Sequence, residues 1–189
     1  MIGRRWMGAL PVITLLAGCA STSSTISPSP QAPVCDRHAA ALVLWAPQWR
    51  ADQKDIAERE AAAESGLRSF LAGSGCFARA DLRRVSSLAP AAVAAGQPAA
   101  DGPHQLVVTV AVRELGPVVK LLSSASLVEG GTEVVLDITS RPAQSASPPR
   151  AFTVHWRHGG AGVVKGVASL PDDMRAALQV GLRPAELKP

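Results

Sequence analysis

A strand–helix–strand pattern in the first half of the chain constrains the fold more than any other feature. A short apolar run at 40–45, ended by Pro47, predicts a buried strand. Apolar residues then recur at helical spacing after Asp52, which is placed as the helix N-cap. An alternating stretch at 77–85 predicts a second strand. This order predicts two parallel strands joined by a right-handed crossover.

The second half of the chain is rich in alternating segments, which predict strands. The predicted strands are 106–113, ended by Gly116-Pro117; 118–128 and 132–140, around a hairpin turn at Gly130-Gly131; and 152–157 and 163–168, around a glycine-rich turn. Residues 86–103 show no usable period and predict a long loop. A last helix is predicted after Ser169, with Asp172 and Asp173 in its first turn, where the helix dipole favours acidic residues.

These elements predict the fold class. Two amphipathic helices each need one apolar face covered, and a mixed sheet with both helices on one face covers them. We therefore expect a single α+β domain over residues 34–184 that opens with a βαβ unit. Residues 185–189 are expected to form a short tail.

The first 18 residues have the organisation of an export signal. Arg4 and Arg5 precede an apolar stretch at 6–16, and small residues follow. The stretch is too short to span a membrane as a helix, so we interpret residues 1–18 as a signal peptide.

Residues 16–19 read Leu-Ala-Gly-Cys, which resembles the lipobox of bacterial lipoproteins. The resemblance implies that the Cys19 thiol accepts a diacylglycerol and that Cys19 becomes the first residue of the mature protein. Ala20, in place of an Asp, is similar to the sorting pattern of outer-membrane lipoproteins and implies a periplasm-facing lipid anchor in that membrane. An ordinary secretory signal and a short membrane anchor are the alternatives.

The residues that follow Cys19 predict a tether. Ten of the fourteen residues from 20 to 33 are Ser, Thr or Pro, and Ile26 is the single large apolar residue. Such a segment buries too little to order itself. Residues 19–33 are therefore expected to hold the domain roughly 20 Å from the membrane anchor.

The charge balance excludes one class of function. Removal of residues 1–18, which hold two arginines and no acid, lowers the formal net charge from +4 to +2. The remaining basic residues are scattered along the chain. A nearly neutral chain without a basic stripe gives no electrostatic footprint for nucleic acid, so nucleic-acid binding is not expected.

Two thiols remain besides Cys19, and their positions predict a disulfide. Cys35 precedes the first predicted strand and Cys76 precedes the second, so a parallel pair brings both to the same edge of the sheet. Export places them in an oxidising compartment. We therefore expect a Cys35–Cys76 bond, with two free buried thiols as the alternative.

Tests for catalytic and metal-binding patterns yield no candidate. His158 follows His155 by three positions at the end of a predicted strand, and positions three apart on a strand point to opposite faces, so the two do not form a ready ligand pair. Asp172 and Asp173 diverge by about 100° on a helix, so they do not address one substrate atom together. The chain has no G-x-S-x-G nucleophile motif and no phosphate-binding G-x-x-x-x-G-K motif. No cofactor, metal or enzymatic activity is therefore predicted.

An aromatic cluster after the first strand supplies the candidate binding residues. Trp45 and Trp49 are two of the four tryptophans in the chain. Trp45 is expected in the core. Trp49 lies beyond Pro47 and next to Arg50, and both residue types are enriched at binding hot spots. We predict Trp49 and Arg50 as part of a partner surface, with packing of Trp49 on the sheet edge as the alternative.

The domain resembles several families of small envelope lipoproteins: the curli-secretion type, the lipoprotein activators of penicillin-binding proteins, and the auxiliary lipoproteins of ABC-type lipid transport. The resemblance is carried by the helix end and strand start at 67–77, by Glu114-Leu-Gly-Pro117, and by 172–178. It implies an accessory protein that binds an envelope protein partner in the periplasm.

The expected function is therefore that of a non-catalytic adaptor or assembly factor for an envelope complex. The alternatives are an auxiliary lipoprotein of lipid transport that binds an apolar ligand, and a hydrolase of unrecognised type. A carrier requires a deep apolar cavity, and an enzyme requires a convergent polar site.

Overall fold

The computed structural model describes residues 20–89, 103–122, 127–144 and 148–183, with the backbone alone at 119–122 and 127–129. The predicted signal peptide (1–18), the predicted lipid-attachment residue Cys19 and the predicted tail (185–189) lie outside the described residues. So does most of the predicted loop at 86–103.

The chain forms a mixed six-stranded sheet with two helices, which confirms the predicted fold class. The elements are β1 Ser21–Ser27, β2 Asp36–Pro47, α1 Ile56–Gly73, β3 Phe77–Arg84, β4 Leu106–Leu122, β5 Leu127–Pro142, β6 Arg150–Ala161 and α2 Leu170–Leu182, with a 3-10 turn at Val167–Ser169 before α2. The strand order is β1-β6-β5-β4-β2-β3. β2 is parallel to both of its neighbours, and the other pairs are antiparallel.

Both helices pack on one face of the sheet, and one core cluster joins them to β2, β4, β5 and β6. Its largest fully buried side chains include Trp45, Phe70, Leu136, Met174 and Leu178. A smaller cluster, formed by Leu42, Leu44 and Val107, lies on alternate positions of β2 and β4 and is therefore on the opposite face. Among the described residues, no helix is long and apolar enough to cross a membrane.

Helix α1 begins later than its sequence predicts. The N-cap is Asp55, which adopts a left-handed conformation, rather than Asp52. The buried positions follow helical spacing, and Gly66 is among them. A Cβ added to Gly66 would lie 2.6 Å from the Met174 Cβ and 2.7 Å from the Pro171 carbonyl oxygen, so this glycine permits α1 and α2 to approach closely.

The Gly66→Ala variant is expected to lose about 1–3 kcal/mol of unfolding free energy, because its methyl group overpacks the contact between α1 and α2. Gly73→Ala, at the end of the same helix, is the control: a Cβ there meets nothing within 4 Å. The control should be neutral or slightly stabilising, since alanine favours helix more than glycine does. Urea unfolding of both variants measures the difference. Equal midpoints would contradict this account of the helix contact.

The segment predicted as a tether is partly a strand. Residues 21–27 form β1, which pairs antiparallel with β6 from Ser21↔Gly159 to Ser27↔Thr153. Ile26 is half-buried and the rest of the strand is exposed. The strand is therefore held by its backbone hydrogen bonds to β6 rather than by burial of its side chains. The folded domain therefore begins before residue 34, and β1 precedes the predicted opening βαβ unit, which is β2-α1-β3.

Two dipeptides that the sequence predicts as a strand end and a hairpin turn lie inside strands. Gly116-Pro117 lies within β4, beyond the last residue that pairs with β2, and proline is tolerated on such an open edge. Gly130-Gly131 lies within β5, where a Cβ on Gly131 would be 2.5 Å from the His158 carbonyl oxygen. These glycines allow close backbone approach and do not mark a turn.

The strand predicted at 163–168 is not formed. β6 ends at Ala161, and both of its edges are already occupied, by β5 and β1. The following residues lead into the 3-10 turn, and Lys165 Nζ donates to Asp173 Oδ1 of α2 at 2.7 Å.

The predicted disulfide is present. Cys35 and Cys76 are bonded with their Cα atoms 4.6 Å apart. The parallel register places the next residues, Asp36 and Phe77, directly opposite each other. The bond therefore joins the amino ends of β2 and β3, at the edge where the βαβ geometry predicts it.

Candidate interaction site

The predicted binding residues lie in the connection between β2 and α1. The Gln48 amide still follows the sheet, since it donates to the Val112 carbonyl oxygen at 2.9 Å. Beyond this bond the chain leaves β4 and turns toward α1. Trp49 and Arg50 are therefore presented at the carboxyl end of a parallel strand, as the sequence predicts.

Trp49 is half-buried and packs against the main core. Its indole Nε1 is buried and has no hydrogen-bond partner among the described residues. This placement supports the packing role that the sequence left open. Trp49 forms the base of the site rather than a freely exposed anchor.

Arg50 supplies the exposed part of the site, with 67% of its side chain accessible. Its Nη2 lies 3.3 Å from Glu114 Oε2 and donates to Gln53 Oε1 at 3.4 Å. Asp52 Oδ1 lies 3.9 Å from its Nε. The guanidinium is thus oriented by three neighbours while one side remains open to solvent.

Glu114 is the centre of this arrangement, and we name Arg50, Gln53, Arg59 and Glu114 the Glu114 cluster. Gln53 Nε2 donates to Glu114 Oε1 at 2.9 Å, and Arg59 Nη1 donates to the same oxygen at 3.2 Å. A β-bulge between Val112 and Glu114 shifts the register of β4 just before this residue. Bulges commonly redirect a side chain in this way.

Arg59 ties the cluster to the sheet. Its side chain is 9% exposed, and its Nη1 also donates to the Leu115 carbonyl oxygen at 2.7 Å, on the edge of β4 that β2 leaves open. Its Nε donates to the Lys54 carbonyl oxygen at 2.8 Å. A Cβ on Gly116 would lie 1.6 Å from Arg59 Nη1, so only glycine leaves room for this guanidinium.

The sequence predicts Trp49 and Arg50 as binding residues but does not predict the residues that hold them in place. One signal was present: Arg59 precedes Ala63 by four positions and Gly66 by seven, so it lies on the apolar stripe of α1. A charged residue on that stripe needs a buried partner. The identity of the partner, Glu114 on a distant strand, has no local signal.

The side chains at this site are suited to binding a partner group. An exposed arginine held in a fixed orientation beside an aromatic surface can bind a carboxylate through two parallel hydrogen bonds. Within the described ranges, no group of three His, Cys, Asp or Glu side chains is arranged to hold a metal ion.

A second polar cluster lies at the opposite end of β2. The His104 imidazole is buried, and its Nε2 lies 2.7 Å from Asp81 Oδ2 on β3. Arg79 also donates to Asp81, at 3.1 Å. The hydrogen bond from His104, aided by Arg79, lowers the pKa of the Asp81 carboxyl below its ordinary value. This pair joins the start of β4 to the edge strand β3.

The other residues tested for chemistry have structural contacts. Asp173 is buried against Lys165 and accepts a hydrogen bond from Ser169 Oγ, whereas Asp172 is exposed. His158 Nδ1 lies 2.7 Å from Thr22 Oγ1, and its ring stacks on Trp156. Ser169 is the N-cap of α2, although its side chain does not cap the helix backbone.

A depression of about 630 Å³ lies at the amino end of β2, next to the disulfide. It is lined by Pro33, Val34, Cys35, Asp36, Arg37, His38, Ala39, Gln105, Leu106 and Pro142. Four of these side chains are polar or charged, which is unlike the mainly apolar lining of a lipid cavity.

Comparison with models of protein families and with curated proteins finds no match to this chain. Solved structures offer likenesses in fold. One is a PelC dodecamer from Paraburkholderia phytofirmans, with 14% identity and a TM-score of 0.45 over 85% of this chain and 95% of that chain.

Two further structures have similar scores. A homolog of neuraminyllactose-binding hemagglutinin from Helicobacter pylori has 13% identity and a TM-score of 0.39, covering 78% of this chain and 81% of its own. A DUF330 protein from Xanthomonas campestris has 13% identity and a TM-score of 0.39, covering 80% and 84%. Likenesses at this level assign neither a family nor an activity to the chain.

Proposed function

We propose that this chain is a lipoprotein anchored through Cys19 to the outer membrane, facing the periplasm, and that it serves as a non-catalytic adaptor or assembly factor for an envelope complex. The observation that carries the proposal is the position of β1. The folded sheet begins at Ser21, two residues after the lipobox cysteine. Two extended residues span at most about 7 Å, so an acylated Cys19 would hold the domain against the bilayer.

The export signal and the disulfide support the same compartment. The Cys35–Cys76 bond suits an oxidising environment, and the periplasm is one. Ala20 favours outer-membrane sorting through its resemblance to that family's pattern. The anchor, rather than a helix, is the proposed attachment to the membrane.

The proposed partner surface is Arg50 on its Trp49 base. The Glu114 cluster favours binding over catalysis because its carboxylate is already engaged by Gln53, Arg50 and Arg59. What remains available to a partner is the open side of the Arg50 guanidinium. A segment that presents a carboxylate beside an apolar side chain fits this surface.

Recovery of the partner from its own envelope tests this surface. Arg50→Glu should reduce the amount of the co-purifying protein severalfold, because the variant repels the carboxylate that Arg50 would bind. Arg68→Glu is the matched control. Arg68 is equally exposed, at 65%, and is ion-paired with Glu64 on the outer face of α1.

Equal recovery with both variants would contradict the proposed surface. Turnover of an ester, glycan or peptide substrate by the purified protein would contradict the non-catalytic role. Arg50 is the better probe than Trp49, because removal of Trp49 also disturbs the core against which it packs.

The alternative function, an auxiliary lipoprotein of lipid transport, requires an apolar ligand site. Asp36, Arg37, His38 and Gln105 line the depression beside the disulfide, and they do not favour a hydrocarbon chain. Organic extraction of the purified protein distinguishes the two functions. A stoichiometric lipid beyond the covalent anchor would favour the carrier.

A further inference from the structure

The depression at the amino end of β2 lies where this strand extends past its neighbour β4. The pairing of the two strands begins at Ala41↔Leu106, so the residues of β2 before this pair have no partner on β4. One side of the depression is formed by residues 33–39, and the other by Gln105, Leu106 and Pro142. Its volume of about 630 Å³ is in the range of sites that hold small molecules.

Gln105 is a firmly held side chain in the lining of this depression. Its Oε1 accepts a hydrogen bond from the Ala40 amide at 2.6 Å, which identifies the oxygen end of the side-chain amide. Its backbone amide donates to the Ala40 carbonyl oxygen at 2.9 Å, and its carbonyl oxygen accepts from the Ala143 amide at 2.8 Å. Its Nε2 has no hydrogen-bond partner among the described residues. The N–H donors of Nε2 therefore remain available to a ligand.

Arg37 and His38 add further donors to the same lining. Both side chains are exposed, and neither has a hydrogen bond or ion pair within the described ranges. Asp36 is the one carboxylate of the lining, and its Oδ1 accepts a hydrogen bond from the His38 amide at 2.9 Å. The lining thus offers a guanidinium, an imidazole and an oriented amide, which suit a ligand group with several acceptor oxygens.

Three further arginines lie around the depression, and none of them has an ion pair in the part of the chain that the structure describes. Arg141 immediately precedes a lining residue of β5. Arg150 Nη2 donates to the Ala32 carbonyl oxygen at 2.6 Å, one residue before the lining begins. Arg183 Nη2 donates to the Gly75 carbonyl oxygen at 3.1 Å, next to the disulfide.

The surroundings of most other described arginines are different, because a carboxylate neutralises them. Arginines with an ion pair to Asp or Glu are Arg50, Arg59, Arg68, Arg79, Arg84, Arg113 and Arg175. Positive charge without a matching carboxylate is thus concentrated around the depression. A recess with an excess of one sign of charge attracts ligands of the opposite sign.

We propose that this depression binds the phosphate group of a small phosphorylated ligand. Phosphate oxygens fit the planar fork of Arg37 in a bidentate manner and accept hydrogen bonds from Gln105 Nε2 and the His38 ring. A phosphate ester carries about two negative charges at neutral pH, so the excess of arginines favours it over a single carboxylate. The volume leaves room for a further group beside the phosphate.

This site is independent of the proposed anchor and of the Arg50 surface. Ser21, where the described sheet begins, pairs with Gly159 near the carboxyl end of β6. Strand β6 runs in the same direction as β2, because each is separated from β4 by an even number of reversals. The depression therefore lies at the end of the sheet opposite Ser21, and its ligand is a separate question from the partner of Arg50.

Calorimetric titration of the full protein, purified in a non-ionic detergent, tests the site. Glycerol phosphate is the probe, glycerol is its neutral match, and inorganic phosphate is the recognised group alone, with chloride holding the ionic strength constant. We expect glycerol phosphate to bind and glycerol not to bind. Tighter binding of the ester than of inorganic phosphate would identify a phosphate ester as the ligand, and equal binding would identify free phosphate. Either result supports a phosphate site.

Two substitutions locate the binding. Arg37→Gln should weaken the affinity for glycerol phosphate about tenfold or more, because charge-assisted hydrogen bonds are lost. Gln105→Glu keeps an acceptor for the Ala40 amide but replaces the Nε2 donors with a negative oxygen, so binding should be lost. Arg175→Gln is the matched control, since Arg175 is 53% exposed and its ion pair with Asp172 lies in the first turns of α2. The control should leave the affinity unchanged.

Three results would overturn the proposal. The first is the absence of binding by both glycerol phosphate and inorganic phosphate at millimolar concentration. The second is binding of glycerol as tight as that of glycerol phosphate. The third is an equal loss of affinity in Arg37→Gln and Arg175→Gln, which would indicate a general effect of net charge rather than a site.

Discussion

Replacement of both Cys35 and Cys76 by alanine is expected to lower the unfolding free energy by about 4 kcal/mol. The bond closes a loop with a sequence separation of 41 residues, and a loop of this length stabilises by that amount in the chain-entropy model. In a chain of this size, the thermal midpoint should fall by roughly 8–16 °C. Calorimetry or circular dichroism of the double variant measures the shift.

Reduction of the unsubstituted protein should reproduce the effect without a change of sequence. Cys76 is fully buried, so its alanine variant also loses core contacts, whereas Cys35 is half-buried. A shift seen in the double variant but not on full reduction would contradict the assignment of the stability to the bond. Two alkylatable thiols in the native protein would contradict the bond itself.

Glu114→Ala should destabilise the domain by about 2–3 kcal/mol. The substitution leaves the Arg59 guanidinium, 9% exposed, without its carboxylate, and an unpaired buried charge is costly. Gln53 and Arg50 lose the same acceptor, so the connection between β2 and α1 should also loosen. Chemical unfolding and amide exchange at residues 48–55 measure these two effects.

Arg113→Ala, one residue earlier on β4, is the matched control. Arg113 is ion-paired with Asp137, but its side chain is 55% exposed, and surface pairs contribute roughly 0–1 kcal/mol. The double variant Arg59→Met with Glu114→Gln should lose less unfolding free energy than the sum of the losses in Arg59→Met alone and Glu114→Gln alone. Equal effects of Glu114→Ala and Arg113→Ala would contradict the central role of the cluster.

The parts of the fold that the sequence predicts depend on local patterns and a chirality rule. The apolar run of β2, the helical spacing of α1 and the alternation of β3 are each visible within a short window. The right-handed crossover then fixes the parallel pairing. The disulfide follows from that pairing, since both cysteines precede a strand.

The strand β1 could not be predicted because its support is distant in sequence. Its serines and threonines bury little, and the backbone that orders them belongs to β6, as in the Ser21 contact with Gly159 across 138 residues. For the same reason, the sequence does not predict Glu114 as the partner of Arg59. A composition typical of linkers does not exclude an edge strand where a sheet offers one.

The predictions at the glycines of β4 and β5 were wrong for a different reason. The sequence predicts a strand end at Gly116 and a hairpin turn at Gly130-Gly131, because glycine commonly marks breaks and turns. In the sheet they provide space for a guanidinium and for neighbouring backbone. The result is one long antiparallel pair, β4 and β5.

The position of β1 also changes the expected relation between the domain and the membrane. A tether of 14 residues would let the domain reach partners at a distance. With β1 in the sheet, Ala20 alone separates the folded domain from Cys19. If Cys19 carries the proposed lipid, we expect a partner to be bound close to the bilayer.

The mass of the N-terminal peptide of the protein purified from its own envelope tests the central claim most directly. The account predicts that the mature chain begins at Cys19 and that this residue carries a diacylglycerol, while Cys19→Ser leaves an unprocessed precursor. A mature chain that begins elsewhere, or one that begins at an unmodified Cys19, would contradict it.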